Sequence, residues 1–162
     1  MRIATKSSKL NISKLENTKK IADIFAKNIF KGNVILFYGE IGVGKTTFIK
    51  FLVNSLEKID KKNISEITSP TFSLMSQYKL NKFDIHHYDL YRLKSEKDIL
   101  SLNIFEDISD KIVLIEWPEI LGEHKPRNTI DINFEYGENF NSRYLTISAY
   151  EKLKIFDEFK SL

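Results

Sequence analysis

Two segments of the chain carry apolar residues at the spacing of one face of an α-helix. The first is predicted to form a helix over residues 14–30, beginning at Ser13 because Ser13 and Glu16 have the spacing of a capping box. The second is predicted to form a helix over residues 45–57. Both helices are expected to pack on a core, through Ile21, Ile24, Phe25 and Ile29 in the first and Phe48, Phe51, Leu52 and Leu56 in the second.

Two other segments are apolar at every position, which is typical of strands that are buried on both faces. Residues 34–38 have the sequence VILFY and residues 112–115 have the sequence IVLI, both rich in β-branched or aromatic side chains. Strands of this kind occur mainly in parallel sheets that helices cover on both sides. We therefore expect a sheet with a parallel core and helices on both faces.

Two pairs of strand-like segments lie close enough in the chain to form antiparallel hairpins. Residues 72–80 and 83–90 are separated by a two-residue connection, and residues 130–136 and 145–149 flank a polar turn. The tail over residues 151–162 has a helical pattern but carries no motif. The predicted class is α/β, a three-layer sandwich whose mixed sheet combines parallel core strands with antiparallel hairpins.

Composition narrows the classes of protein to be considered. The 162 residues, 42% of them hydrophobic, suit one compact domain over residues 1–162. A net charge of +3, with 21 Lys but only 4 Arg, disfavours a dedicated nucleic-acid binder. The chain has no Cys, no apolar run of about 18 residues and a polar start over residues 1–10, so we expect a cytoplasmic protein that does not bind membranes.

A phosphate-binding loop is the strongest motif in the sequence. Residues 39–46, GEIGVGKT, match the pattern GxxxxGK[ST] and lie between a predicted buried strand and a predicted helix, which indicates a P-loop NTPase-like fold. The glycines let successive amides face one centre, and the helix N-terminus adds partial positive charge. We expect Lys45 to reach the β and γ phosphates and Thr46 to ligate Mg²⁺.

A P-loop site also needs an acid for the metal or the attacking water, and the sequence offers two. Glu116 follows the apolar run at residues 112–115, the usual place for such an acid. Asp89 lies where the apolar face of a strand turns polar at His87, which suggests the edge of a site. The residues alone leave open which acid ligates the metal. They also allow Glu116 to be an ordinary solvated acid at a strand end and Asp89 to be an edge-strand acid paired with a Lys.

Three further positions are ambiguous. Ser69 and Thr71 lie where many P-loop proteins sense the γ phosphate, but a Ser-Pro-Thr segment is also ordinary turn chemistry, which is the simpler interpretation. Trp117 could line the nucleotide site or fill the core, and the core is the commoner place for a large aromatic residue.

Two apparent signals are set aside. Residues 81–84 spell NKxD, which reads guanine in GTPases, but they span a predicted hairpin turn and no DxxG segment accompanies them. The histidines at 86, 87 and 124 lack the spacing of a metal site, because adjacent strand residues point to opposite faces. Structural or surface roles are expected for them.

Four motifs in a fixed order carry a resemblance to a known family. They are GEIGVGKTT at residues 39–47, SPTF at 69–72, HYDLYRL at 87–93 and LIEWP at 114–118. With these motifs, nearly the whole chain resembles the bacterial TsaE (YjeE) family. Its members are small P-loop ATPases required for making threonylcarbamoyladenosine, the modified base beside the anticodon of tRNAs that read codons beginning with A.

The resemblance implies ATP and Mg²⁺ as cofactors and suggests roles for individual residues. Lys45, Asp89 and Glu116 would form the catalytic set, and Thr46, Glu116 and Asp89 would lie at the metal. Asp89 would also act close to the attacking water. The nucleotide would be held by Glu40, Ile41, Gly42, Val43, Gly44, Lys45, Thr46 and Thr47, with Trp117 at the edge of the site and, on a weaker match, Thr18 near the adenine.

The resemblance changes the interpretation of the ambiguous loop. Ser69 and Thr71 would be switch-like residues that respond to the nucleotide. Their hydroxyl groups would then have a function beyond closing a turn.

The resemblance also implies protein partners. In that family the ATPase acts on a complex of the TsaB and TsaD proteins, so an isolated chain would hydrolyse ATP slowly. The sequence leaves open whether the chain contacts tRNA directly, because a Lys-rich chain with a net charge of +3 is compatible with a weak or an indirect contact. Two alternatives stay open: a small-molecule or nucleoside kinase, which the scarcity of Arg argues against, and a nucleotide-dependent binding module whose hydrolysis is incidental.

Overall fold

The computed structural model describes residues 5–150 and 155–159. Within them an eight-stranded mixed sheet has helices on both faces, so the predicted α/β class is confirmed. The strands are β1 (Thr5–Lys6), β2 (Leu10–Asn11), β3 (Val34–Tyr38), β4 (Met75–Lys79), β5 (Asp84–Asp89), β6 (Lys111–Glu116), β7 (Thr129–Tyr136) and β8 (Arg143–Ala149). The α-helices are α1 (Leu15–Ala26), α2 (Lys45–Ile59), α3 (Glu96–Ser101) and α4 (Ile155–Glu158), and 3₁₀ helices cover Ile108–Asp110 and Pro118–His124.

The strand order places the two fully apolar strands side by side. β3 lies between β6 and β7 and is parallel to both, and β5 lies parallel on the other side of β6. The hairpins β4–β5 and β7–β8 extend the sheet with antiparallel pairs, and β1 and β2 both pair with β8. The predicted parallel core and both predicted hairpins are therefore confirmed.

The side chains of β3 divide the core into two layers. Ile35 and Phe37 pack on the face covered by α1 and α2. Val34 and Leu36 pack on the opposite face, with Ile99 of α3. All four β3 side chains are buried because each face of the strand is covered, which is why the run is apolar at every position.

The predicted capping box at the start of α1 is wrong. Lys14 holds the cap position, and the hydroxyl of Ser13 instead accepts a hydrogen bond of 2.9 Å from the backbone amide of Arg143 in β8. The helix also ends at Ala26, four residues before the predicted end, because Asn33 accepts from the amide of Phe30 and folds the chain into a turn. Contacts with the sheet edge and the turn thus override the local helical pattern.

The strand predicted over residues 72–80 starts later, at Met75. Its first residues form a turn in which the amide of Leu74 donates to the carbonyl of Pro70 at 2.6 Å. Leu74 has a φ of +64°, a left-handed conformation that a continuing strand cannot contain. The turn brings residues 69–71 to the end of β5, where the candidate site lies.

The helix predicted over residues 151–162 is represented by α4, and the remainder of that prediction lies outside the described residues. Across residues 5–150 and 155–159, none of the helices has the length and apolar character needed to cross a membrane.

Candidate active site

The candidate site lies at the carboxyl ends of three adjacent parallel strands. β3 leads into the glycine-rich loop, β5 ends at Asp89 and β6 ends at Glu116. In the sheet register Glu116 is the partner of both Phe37 and Asp89. Open α/β sheets bind ligands at this edge, because the loops that follow parallel strands converge there.

The backbone of the loop passes close to the sheet at its first glycine. Gly39 has a φ of +135°, and a Cβ atom there would lie 2.7 Å from the backbone oxygen of Phe134 in β7. Gly44, with a φ of +119°, holds the left-handed cap position from which α2 starts. Glycine is thus required both for close approach and for the turn into the helix. The loop leads directly into the N-terminus of α2. The partial positive charge at that helix end favours the binding of anions.

Lys45 is the cation of the site and is largely buried, with 4% of its surface exposed. Its amine donates to the carbonyls of Gly39 and Glu40, at 2.6 and 2.8 Å, and lies 3.9 Å from the centre of the Trp117 ring. Burial lowers the pKa of Lys45 below its usual value, and Glu116 is the largest of the charges that oppose this effect. The amine is therefore desolvated, and the nearby acids favour its charged form.

Thr46 and Glu116 are joined directly. The hydroxyl of Thr46 lies 3.0 and 2.8 Å from the two carboxylate oxygens of Glu116 and donates to them. Glu116 is 2% exposed and Thr46 is half-buried at the first turn of α2. A hydroxyl and a carboxylate at this spacing are oxygen ligands of the kind that Mg²⁺ prefers.

Glu116 has a second partner on β5. His87 places its Nε2 atom 2.9 Å from Oε1 of Glu116, and the His87 side chain has no exposed surface. The sequence pattern located His87 at a change from apolar to polar residues, but no local signal identified Glu116 as its partner. The pair is formed by the parallel register of β5 and β6.

Asp89 is held by the loop that precedes β4. Its Oδ2 atom accepts from the hydroxyl of Ser69 and, at 3.0 Å, from the hydroxyl of Thr71. Its Oδ1 atom accepts from the amide of Tyr91 at 3.1 Å. The two hydroxyls are themselves 2.9 Å apart, so Ser69, Thr71 and Asp89 form one connected polar cluster. The structure thus gives the Ser-Pro-Thr segment a contact beyond its turn.

Aromatic side chains border the polar cluster. Trp117 has a φ of +58°, and its ring packs against Tyr91 with centroids 4.8 Å apart. One residue beyond Thr71, the ring of Phe72 is 86% exposed and lies 4.1 Å from the guanidinium carbon of Arg92. Trp117 is therefore at the site rather than in the interior of the core. Tyr91 was not among the residues predicted for the site, although it is part of the HYDLYRL motif.

These groups enclose a cleft of about 330 Å³. Most of the residues predicted for the site are brought together here, and Tyr91 joins them. The lining residues are Ile41, Gly42, Gly44, Lys45, Thr46, Thr47, Ser69, Thr71, Asp89, Tyr91, Glu116 and Trp117.

Three predicted nucleotide-binding residues have other surroundings in the described structure. Val43 is fully buried beneath the loop, and Glu40 faces a second cavity, of about 580 Å³, beside Tyr136 and Phe140. Thr18 is buried in α1, where its hydroxyl donates to the carbonyls of Ile12 and Lys14. As the structure describes it, Thr18 lies outside the set of residues that line the 330 Å³ cleft.

The donor set fits a metal that is shared with a phosphate ligand. In the described part of the chain, no group of three or more His, Cys, Asp or Glu residues is arranged to hold a metal ion. Mg²⁺ usually takes one or two protein oxygens and completes its shell with phosphates and water. Thr46 and Glu116 match that pattern, since they stand beside the phosphate-binding loop.

Comparison with known proteins gives one consistent family. The family model described as "Threonylcarbamoyl adenosine biosynthesis protein TsaE" matches residues 12–145. Among curated relatives, the proteins named tRNA threonylcarbamoyladenosine biosynthesis protein TsaE are similar to this chain. That of Rickettsia conorii is 36% identical over 137 residues, which are 85% of this chain and 75% of the relative. That of Nostoc sp. is 34% identical over 149 residues, covering 88% and 86%, and that of Bacillus subtilis is 31% identical over 118 residues, covering 72% and 70%.

A solved structure has the same fold. The crystal structure of Bacillus subtilis YdiB superposes with a TM-score of 0.76 and covers 99% of this chain and 97% of its own, at 23% sequence identity. The structural match extends over the mixed sheet and its helices, and the family model covers the four motifs that line or adjoin the cleft. The chain belongs to the TsaE family.

Proposed function

We propose that the protein is a Mg²⁺-dependent ATPase that acts in the threonylcarbamoyladenosine modification of tRNA. The observation that carries this proposal is the Thr46–Glu116 contact beside a phosphate-binding loop, with Asp89 on the adjacent strand. A hydroxyl, two acids and a buried lysine around one cleft are the groups that phosphoryl transfer to water requires.

The loop and Lys45 would bind the phosphates. Backbone amides of the loop and the N-terminus of α2 offer partial positive charge, and the cleft runs along Gly42, Gly44 and Thr47. The Lys45 amine, now on the carbonyls of Gly39 and Glu40, would exchange these neutral acceptors for phosphate oxygens. That exchange favours charge on the lysine, because the new partners are anionic.

Thr46 and Glu116 would hold the metal. When bound, Mg²⁺ supplies positive charge that neutralises the β and γ oxygens as the terminal phosphate is transferred. The hydroxyl of Thr46 and the carboxylate of Glu116 are already in contact, so both can turn to one ion with little rearrangement. Glu116 is buried and hydrogen-bonded, which limits the positions that its carboxylate can take.

Asp89 would orient the attacking water. Its carboxylate is fixed on both oxygens, by the Ser69 and Thr71 hydroxyls on one and the Tyr91 amide on the other. Any movement of the segment that carries Ser69 and Thr71 would therefore change the position of the acid. This contact is the basis for assigning the segment a switch-like role, through which nucleotide or partner contacts could control hydrolysis.

The cellular role follows from family membership. The matching family model and the curated relatives of Rickettsia conorii and Bacillus subtilis carry names from threonylcarbamoyladenosine biosynthesis. We therefore propose that this protein works in the cytoplasm on the TsaB–TsaD complex, and that its contact with tRNA is weak or indirect. Contacts that form only in the complex would raise the hydrolysis rate by favouring the competent arrangement of the site.

The composition of the cleft disfavours the kinase alternative. Among the described residues that line it, Lys45 is the single cationic side chain. Arg92, the one arginine within the four motifs, places its guanidinium over the exposed Phe72 ring. A small-molecule kinase would need further cations to neutralise the phosphoryl group during transfer.

Hydrolysis of ATP and GTP, measured alone and with the TsaB–TsaD complex, tests this proposal. We expect slow ATP hydrolysis that the complex stimulates, loss of this activity in Lys45→Ala, and normal activity in Lys50→Ala, which changes an exposed lysine on the same helix. Hydrolysis that survives in Lys45→Ala would refute the site assignment. Hydrolysis that the complex leaves unchanged would refute the proposed regulation.

A further inference from the structure

His87 makes a single polar side-chain contact with the candidate site. Its Nε2 atom lies 2.9 Å from Oε1 of Glu116, and the two side chains are 0% and 3% exposed. An ionised carboxylate can only accept hydrogen bonds, so the imidazole donates from Nε2. The proton that forms this bond is thereby assigned to one nitrogen of the ring.

The other ring nitrogen supports the same assignment. Within the described residues, Nδ1 of His87 is buried and has no hydrogen-bond partner. A second proton on Nδ1 would leave a buried donor without an acceptor, which is unfavourable. His87 therefore offers one donor, and that donor is directed at Glu116. Since the ring has no exposed surface, it cannot turn away without disturbing the core.

The two oxygens of Glu116 consequently have different surroundings. The Thr46 hydroxyl contacts both oxygens, at 3.0 Å from Oε1 and 2.8 Å from Oε2, but only Oε1 is also bonded to the buried imidazole. We propose that His87 is a positioning residue that restricts Glu116 to ligating the metal through one oxygen and thereby favours Mg²⁺ over Ca²⁺. This inference rests on the proposed function, since it concerns the ion that the ATPase uses.

The preference follows from the coordination chemistry of the two ions. Mg²⁺ demands near-octahedral geometry with short bonds and usually takes single carboxylate oxygens, whereas Ca²⁺ is larger and readily accepts both oxygens of one carboxylate. Because His87 holds Oε1, Glu116 can offer Mg²⁺ the single oxygen that this ion usually takes. The same contact hinders the binding of Ca²⁺ through both oxygens. Removing the imidazole frees Oε1, so it weakens Mg²⁺ binding and makes Ca²⁺ binding relatively better.

Ion titrations on the intact protein test this inference without relying on turnover. Trp117 is the only tryptophan and directly follows Glu116, so its emission can report ion binding in the presence of ADP. Wild type, His87→Leu and His87→Gln are titrated with MgCl₂ and with CaCl₂. His86→Leu is the matched control, because His86 lies on the opposite face of the same strand, 3.5 Å from the hydroxyl of Tyr88. Thermal unfolding of every variant reports whether the core is intact.

We expect His87→Leu to raise the half-saturating Mg²⁺ concentration by about 10-fold or more, the usual effect of losing a group that orients a metal ligand. The half-saturating Ca²⁺ concentration should change less, so the variant should prefer Mg²⁺ over Ca²⁺ by a smaller factor than wild type does. His87→Gln, whose amide can donate to Glu116, should recover most of the difference, and His86→Leu should match wild type. If His87→Leu does not fold, His87→Asn replaces it, since its shorter amide retains polarity but loses reach.

Two results would overturn the inference. One is a folded His87→Leu variant that titrates with both ions as wild type does. The other is an equal loss for both ions in the Leu and Gln variants together with lower unfolding temperatures, which would assign His87 to core packing. A wild-type protein whose emission responds to neither ion in the presence of ADP would refute the proposed function as well. Failure of the proposed function is therefore distinguishable from failure of the His87 inference alone.

Discussion

The hydroxyl of Thr46 donates to both carboxylate oxygens of Glu116, although the two residues lie 70 positions apart in the chain. Thr46 begins α2 immediately after the glycine-rich loop, and Glu116 ends β6. This hydroxyl, shared between the two oxygens, joins the phosphate-binding segment to the acid at the place where we propose that Mg²⁺ binds. A metal ion held by both groups would take the place of that shared hydrogen bond.

Replacing Glu116 by Gln should separate nucleotide binding from turnover. The amide keeps the size of the side chain and can still bond with Thr46, but it removes the negative charge that would hold the metal. We expect ATP binding to persist and hydrolysis to fall by about 10²- to 10³-fold, the size of loss seen when one preorganised group that stabilises a transition state is removed. Calorimetric ATP binding and phosphate release measure the two effects. Glu123→Gln, an exposed acid on the following 3₁₀ helix, should behave as wild type.

The same variant distinguishes an ATPase from a nucleotide-dependent binding module. If tRNA modification needs turnover, a reconstituted modification assay should lose multiple turnovers with Glu116→Gln. Full activity of that variant in the assay would mean that binding alone is sufficient.

Removal of the Thr71 hydroxyl should slow hydrolysis without weakening ATP binding. Thr71→Val keeps the shape of the side chain but deletes one of the donors to Asp89, so the acid is less well placed for the water. We expect kcat to fall about 10-fold, equivalent to about 1.4 kcal/mol, with KM for ATP little changed. Steady-state kinetics separate the two parameters.

The control for Thr71→Val lies in the same loop. The hydroxyl of Ser73 donates to the carbonyl of Met75 and is exposed, so Ser73→Ala should leave kcat unchanged. A fall in ATP affinity with kcat unchanged in Thr71→Val would contradict the role assigned to Asp89, because it would place the loop at the phosphates.

ATP affinity should weaken as the pH rises into the alkaline range, and earlier than an ordinary lysine would allow. Burial lowers the pKa of Lys45 below 10.5, so the free protein loses the charge of this side chain at a lower pH than an exposed lysine would. Lys45→Arg provides the comparison, since a guanidinium keeps its charge throughout this range. The ATP affinity of this variant should be weaker than that of wild type but should change less with pH. Fluorescence titrations at a series of pH values measure the effect. A wild-type affinity that stays flat up to pH 10.5 would contradict it.

The lowered pKa of Lys45 also affects the stability of the fold. As the pH rises, ATP affinity should fall, whereas the contribution of Lys45 to folding stability should increase. Because the folded state holds the Lys45 proton less tightly than the unfolded chain, the unfolded state binds more protons between the two pKa values. The contribution of Lys45 to the free energy of unfolding should therefore rise with pH in that window. Urea unfolding of wild type and Lys45→Met from neutral pH to about pH 10 measures the difference.

Two glycines of the loop should differ in their sensitivity to substitution. Gly44→Ala forces a residue with a side chain to adopt a φ of +119° in open space, which should cost about 1–2 kcal/mol. Gly39→Ala adds a clash at 2.7 Å with the backbone oxygen of Phe134, so the loss should be at least about 3 kcal/mol. Urea unfolding measures both, and Gly32→Ala, outside the loop at a φ of +95°, serves as a second open-space control. Equal losses at positions 39 and 44 would show that the close approach to β7 is unimportant.

Features that are encoded locally could be predicted from the sequence. The apolar run of β3, the glycine-rich loop and the start of α2 follow one another in the chain, so a single motif specified them together. The hairpin between β4 and β5 was likewise predictable from a two-residue connection. The capping box at Ser13 was misleading, because the backbone of Arg143 competes for the same hydroxyl and belongs to a strand far away in sequence.

Contacts that depend on strand order could not be predicted. The spacing of residues shows that Glu116 ends a buried strand, but only the adjacency of β3, β6 and β5 brings it to Thr46 and His87. The link between Thr71 and Asp89 likewise depends on a turn at Leu74, where the sequence predicted a continuous strand. Without the structure, a plain turn was the simpler interpretation of that loop.

The paired register of Asp89 and Glu116 makes the length of β5 and β6 as important as their composition. Side chains in a strand alternate between faces, so inserting or deleting one residue within either strand would turn one of the two acids to the other side of the sheet. Exchange of one apolar neighbour for another of similar volume would leave both acids in place. Variation in chain length among relatives should therefore be confined to connections outside the site, such as residues 61–64 and 102–107, and these are the segments where an engineered insertion has the best prospect of preserving the site.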